Sequence, residues 1–263
     1  MSKLGLYRNL DKPRQGYTKA YPVNTFTFVF VIITPLLFSF KANAQKAEPI
    51  KSDQGEFVTI HSNILKEDRR MLIYTPKDSA NPEKKYPVIY VLDADNHFTQ
   101  IVEYSKYLSR KDVLVIPPLI VVGITNTDRN RDLTPSHSNV GYAGKPDTTA
   151  NSPYKNSGGN EHFFQFIQKE LMPYVNANYK TQPYRIFAGH SFGALTTINC
   201  LISYPDMFDA YIAVSPSFWW DQKFLLKLAD KKLKAGSTLS KTLFLAMEMK
   251  MLLHLDHRFI PMF

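Results

Sequence analysis

One cysteine occurs in the 263 residues, Cys200, so no disulfide can close within the chain. It stands beside Leu201 and Ile202 in a helix-type stretch, where a thiol serves as a small apolar side chain. No cysteine lies near Ala44, so lipoprotein anchoring there is not supported. No basic stripe exists either. The net charge is +9, but residues 1–44 hold six Lys/Arg against a single Asp, leaving 26 basic and 22 acidic side chains for the rest. That near-balance argues against a nucleic-acid partner. Repeats, low-complexity tracts and a second composition block are also absent, so residues 45–263 read as one domain. At 44% hydrophobic residues, one large core has ample material.

What is present begins with a leader. Lys3, Arg8, Lys12, Arg14 and Lys19 precede an apolar run from Phe26 to Phe40, broken by Thr27, Thr34, Pro35 and Ser39. The run is about fifteen residues, short of the roughly twenty that span a bilayer. Ala42-Asn43-Ala44 follows as a small-x-small cleavage site. Residues 1–44 are therefore expected to be an export signal, giving a periplasmic or secreted protein that meets a membrane only through that signal. The length of the basic leader keeps an uncleaved anchor open as the alternative.

Further on, Glu56–Ser62 and Arg70–Pro76 have strand character around a polar turn and read as an antiparallel hairpin. Tyr86–Leu92 and Pro118–Ile124 are continuous apolar runs suited to strands buried on both faces. Between them, Phe98–Leu108 carries apolar residues at helical spacing. Asn126–Asn160 is polar and rich in turn residues, long enough to be a lid or substrate loop. A helix over Glu161–Tyr179, bent at Pro173, precedes a strand from Tyr184 and a helix ended by Pro205. Ala210–Ser215 and Lys241–Ala246 are strands, with a Lys-rich helix over Asp221–Leu233 between them. Strands alternating with helices predict an α/β fold: a mostly parallel sheet, helices on both faces and the hairpin at its N-terminal edge.

The stretch with chemistry in it is Gly189-His190-Ser191-Phe192-Gly193, set between a strand pattern and a helix pattern. This is the G-x-S-x-G of a nucleophile elbow, in which a sharp strand-to-helix turn lifts a serine hydroxyl above a parallel sheet. The glycines leave the tight turn uncrowded. The N-terminus of the following helix aims unpaired N–H groups where an oxyanion would form. The bland alternative is a glycine-flanked serine in an ordinary turn.

With Tyr86-Pro-Val-Ile-Tyr-Val-Leu-Asp-Ala94, Arg131-Asp-Leu-Thr-Pro135, the run from Phe163 through Glu170-Leu-Met-Pro173 to Tyr179, the elbow and Ser215-Pro-Ser-Phe-Trp-Trp220, residues 56 to 246 resemble the α/β-hydrolases of the esterase family that includes esterase D and the enterochelin esterases. The resemblance implies hydrolysis of a carboxylic ester or thioester through a Ser-His-acid triad, with no metal or other cofactor and a small-molecule ester as partner. It makes Ser191 the nucleophile and the Phe192 N–H the first oxyanion donor, with Asp93 or Ala94 supplying the second. Relatives carry a His-Gly pair where Asp93-Ala94 stands. Arg129 and Arg131 are candidates to grip an anionic or catechol-bearing substrate, or else are solvated loop charges. Trp219 and Trp220 are pocket walls or core. His97, His137 and His190 fall at or before the serine, and the chain order of the fold excludes them as the base. His190 is kept as a pocket residue.

After Ser191 only His254 and His257 are available as base, and Glu248 is the candidate acid. Fifteen residues follow Glu248, too few for a helix, a strand and their loops. The tail 247–263 also holds four of the eight methionines. The expectation is a sequence cut short or frame-shifted after about Ala246, lacking the last strand, the last helix and the true histidine. A base improvised from His257 is the alternative. Acyl transfer to an acceptor other than water, and a binding module without catalysis, are the competing functions.

Overall fold

The computed structural model describes residues 54–78, 80–233 and 240–247. The expected export segment and the candidates Glu248, His254 and His257 lie outside the described residues.

The hairpin forms as β1 (Glu56–Ser62) and β2 (Glu67–Tyr74), paired antiparallel with Glu56 opposite Ile73 and Ser62 opposite Glu67. β2 therefore starts three residues before the apolar signal at Arg70, because backbone pairing runs through the charged residues as well. β3 (Tyr86–Val91) and β4 (Ile120–Ile124) are buried along their whole length, as their unbroken apolar runs require. Pro87 lies inside β3, and the register against the next parallel strand shifts between Tyr86 and Val88. A residue without an N–H cannot complete the ladder there. The helix α1 (Ala94–Leu108) begins at Ala94, four residues earlier than the apolar spacing shows.

The long loop is not structureless. It contains a short helix, α2 (Arg129–Asp132), capped by the Asp128 carboxylate, which accepts from the Arg131 backbone N–H at 3.1 Å. The expected helix over Glu161–Tyr179 is three pieces: α3 (Asn160–Phe166), a π-type turn (Ile167–Leu171) and α4 (Met172–Asn178). Pro173 has no N–H for the carbonyl four residues back, and the backbone widens into the π turn just ahead of it. β5 (Thr181–His190) leads into α5 (Phe192–Ser203), then β6 (Ala210–Val214), α6 (Trp220–Lys232) and β7 (Thr242–Ala246).

The sheet order is β1-β2-β4-β3-β5-β6-β7, with β1, β2 and β4 joined antiparallel and β4, β3, β5, β6 and β7 parallel. The two faces are covered unequally. One side chain set (Val88, Tyr90, Val122, Phe187, Tyr211) packs under α3, α4, α5 and α6 in the larger core. The alternate set (Ile89, Val91, Val121, Ala188) packs on α1 through Ala94, Phe98 and Val102. This is the mixed sheet with helices on both faces of an α/β-hydrolase fold. Successive parallel strands place their C-terminal ends, Val91, His190 and Val214, along one rim.

Candidate active site

Ser191 stands at that rim, between the last residue of β5 and the first of α5. Its backbone is left-handed (φ 58°, ψ −115°), a conformation that β-carbon-bearing residues seldom adopt. The turn holds because its neighbours are glycines. A β-carbon on Gly189 would sit 2.3 Å from the Gly193 carbonyl carbon, and one on Gly193 would meet the Asp93 carboxylate at 3.2 Å. Strand and helix thus approach more closely than side chains would permit. The serine is half-buried and its hydroxyl borders a cavity of about 340 Å³ lined by Tyr142, His190, Ser215, Ser217, Trp219 and Met247.

Three contacts from the end of β6 and the turn after it fix the elbow. The Ser191 N–H donates to Val214 O at 3.0 Å, and the Ser217 N–H donates to Ser191 O at 3.3 Å. The Ser191 and Ser217 hydroxyls lie 3.2 Å apart. Ser215 has a positive φ of 49° and donates its N–H to Ala246 O at 2.7 Å, so this turn is itself tied to β7.

The expected first oxyanion donor, the Phe192 N–H, stands at a helix start. Phe192 is the first residue of α5, and a helix's first N–H groups have no partner one turn back. Ala94 opens α1 in the same way, and Asp93 before it is again left-handed (φ 54°). The Asp93 carboxylate is 2% exposed and lies beside the first turn of α5. A bare carboxylate there would oppose a developing oxyanion, but Arg129 neutralises it with a two-pronged pair (Nε–Oδ1 2.6 Å, Nη2–Oδ2 2.9 Å). The Asn126 amide adds a bond of 2.8 Å to Asp93 Oδ1. The guanidinium also lies over the Phe192 ring, 5.3 Å from its centroid.

Sequence-predicted residues separate into those gathered here and those placed elsewhere. Arg129 faces the elbow, but its charge is spent on Asp93. Arg131, two residues on, points the other way. Its guanidinium binds both Glu67 oxygens (3.0 and 2.6 Å) and Asp132 Oδ1 (2.7 Å). Those ion pairs continue to Arg69, which bonds Asp132 at 2.6 Å, both side chains being 1% exposed. Burial works to raise the Glu67 carboxyl, but hydrogen bonds and charge from Arg131 and Arg69 outweigh it and hold it below the usual range. Arg131 is thus an anchor for the loop in place of a substrate grip. Trp219 lines the cavity, edge-on to Tyr142 at 5.4 Å, whereas Trp220 is 1% exposed and donates its indole N–H to Ser136 O at 3.2 Å. The choice left open for the tryptophans resolves into one of each.

His190 is exposed beside the serine and packs edge-on to His97 at 5.7 Å, at a second, mostly apolar groove. His137 shares hydrogen bonds of 3.2 Å with Ser157 and belongs to the loop's internal structure. Of the long loop, Tyr142 lines the cavity. Sequence reasoning gave no role to Tyr142 or Ser217. Tyr142 lies in a polar loop with no motif around it, while Ser217 is part of Ser215-Pro-Ser-Phe-Trp-Trp220, a motif dominated by its tryptophans.

This arrangement can be set beside known proteins. A family model described as "Putative esterase" matches residues 62–243. The chain belongs to that family. Ferri-bacillibactin esterase BesA of Bacillus subtilis is 34% identical over 175 residues, which is 62% of this chain and 59% of that protein. A siderophore enterobactin esterase of Emericella nidulans is 31% identical over 137 residues, 46% of this chain and 43% of the relative. The chain thus spans about half of the curated relatives it matches. Among solved structures, an IroE-like serine hydrolase from Shewanella oneidensis superposes with a TM-score of 0.67 at 34% identity, covering 72% of this chain and 59% of that one. The BES protein from Bacillus cereus gives 0.61 at 30% identity, with 72% of each chain covered.

Proposed function

We propose that this chain carries the nucleophile half of a serine ester hydrolase, with Ser191 forming the acyl-enzyme. The observation that supports this most directly is the left-handed Ser191 at the C-terminal rim of the parallel sheet, half-exposed, with the unpaired Phe192 N–H next to it. During attack, the Ser191 Oγ–carbon bond forms, the carbonyl π pair moves onto oxygen, and the hydroxyl proton passes to a general base. The oxyanion is received by the N–H of Phe192 and by that of Ala94 or Asp93. Glu248 and His257 remain the candidate acid and base.

Siderophore esters with aryl-acyl groups are the proposed substrates. The names of the relatives support this class, and so does the aromatic wall that Trp219 and Tyr142 give the serine cavity. The leader over residues 1–44 supports export as the proposed destination. The test is labelling by a fluorophosphonate probe together with p-nitrophenyl acetate turnover. Wild-type protein is expected to take up label at Ser191, and Ser191→Ala to lose labelling and about 10³-fold or more in kcat. Equal turnover by the two proteins would refute the assignment.

A further inference from the structure

We infer that Ser217 is a positioning residue for the nucleophile: its hydroxyl donates a hydrogen bond to Ser191 Oγ and so leaves the Ser191 proton free to pass to a base. This rests on the esterase reading above and extends it to a residue outside the triad.

The geometry isolates the pair. Ser217 is 5% exposed, and its hydroxyl has Ser191 Oγ as its partner at 3.2 Å among the described residues. Ser217 is largely buried at the edge of the serine cavity, and buried hydroxyls are as a rule hydrogen-bonded. A serine hydroxyl carries one proton and two lone pairs. If Ser191 donated to Ser217, its proton would be engaged in that bond and not free to pass to a base. The opposite polarity leaves the Ser191 proton available and places a donor on the oxygen that gains negative character as its proton leaves. Ser217 transfers no proton. It offers a hydrogen bond throughout.

Its own position is fixed from both sides. The Ser217 N–H donates to Ser191 O at 3.3 Å, and Ser217 O accepts from the Trp220 N–H at 3.0 Å, at the head of α6. Pro216 stiffens the preceding residue, and Trp220 is among the most deeply buried side chains of the core. A hydroxyl on so constrained a turn costs little further ordering when the reaction begins, which is the requirement for preorganised catalysis.

The experiment compares wild type, Ser217→Ala and Ser217→Thr in the full chain. Measurements are p-nitrophenyl acetate kinetics, the rate of fluorophosphonate labelling at Ser191, and thermal melting. Ser217→Ala is expected to lower kcat and the labelling rate about 10-fold or more with KM within about twofold, because the interaction is made to the nucleophile and not to the substrate. Ser217→Thr, which keeps the hydroxyl, is expected to regain most of the rate, and melting temperatures to agree. The inference is overturned if Ser217→Ala labels as fast as wild type, or if Ser217→Thr is as slow as Ser217→Ala. Wild-type protein that takes up no label overturns the esterase reading and this inference with it. Labelling that is normal in wild type and unchanged in Ser217→Ala overturns this inference alone.

Discussion

Asp93 and Ser191 both stand in strand-to-helix turns with a positive φ. Asp93 follows β3 after Leu92 and is left-handed helical (φ 54°, ψ 42°), Ser191 follows β5 directly with φ 58° and ψ −115°, and each is followed at once by a helix. Their side chains meet opposite fates. The Asp93 carboxylate is buried and gripped by Arg129 and Asn126, whereas the Ser191 hydroxyl opens to a cavity and touches Ser217. A positive φ thus serves a structural turn and, at a different ψ, a reactive one. They differ further in the space allotted to the side chain. Around Ser191 that space exists because Gly189 and Gly193 let β5 and α5 close up behind it.

The comparison can be broken most severely at Gly189. In Gly189→Ala the new methyl would lie 2.3 Å from the Gly193 carbonyl carbon and 2.9 Å from the Ala194 nitrogen, so backbone must move. A loss of about 4 kcal/mol or more in unfolding free energy is expected, with loss of Ser191 labelling. Denaturant titration reads the first and the fluorophosphonate probe the second.

Arg129→Ala tests the other turn. It leaves a buried Asp93 carboxylate with Asn126 as its remaining side-chain partner among the described residues, and about 2–3 kcal/mol of destabilisation is expected. The uncompensated charge beside the first turn of α5 should also slow ester turnover. If Arg129→Ala is as stable and as fast as wild type, the neutralising role assigned to this pair is wrong.

The smallest effect expected is one of pH. Glu67 holds the helix α2, which carries Arg129, through Arg131, and its folded pKa is lowered from 4.5. A depressed carboxylate contributes stability above its unfolded pKa and loses it as pH falls through the folded value. Acidification below about pH 4.5 is therefore expected to weaken the loop anchor. The contribution is about 1 kcal/mol, since this pair is partly open to solvent. Thermal melts of wild type and Glu67→Gln should converge in acid and separate near neutrality. Curves that stay parallel through the acid range would remove Glu67 from the account.

Much of this was legible in the residues. The continuous apolar runs over Tyr86–Leu92 and Pro118–Ile124 gave the central strands, because burial on both faces leaves no room for polar alternation. Gly189-His-Ser-Phe-Gly193 gave the elbow, since its glycines answer a steric demand that is local in the chain. The start of α1 was not legible. Its first turn, Ala94-Asp-Asn-His, has one apolar residue, and it is helical because it continues from the left-handed Asp93 turn. The short helix α2 was hidden for a related reason: polar residues are held there by ion pairs reaching back to Glu67 and Arg69, more than sixty residues away.

The sequence by itself determined which residue has the nucleophile's local setting and which segments are strands, because strand burial and a glycine-flanked turn depend on near neighbours. Only the tertiary structure decided how Arg129 and Arg131 divide, that Trp219 faces the cavity while Trp220 is core, and that Ser217 stands against Ser191. Each of those outcomes depends on what another part of the chain brings within a few ångströms, and no local pattern records that.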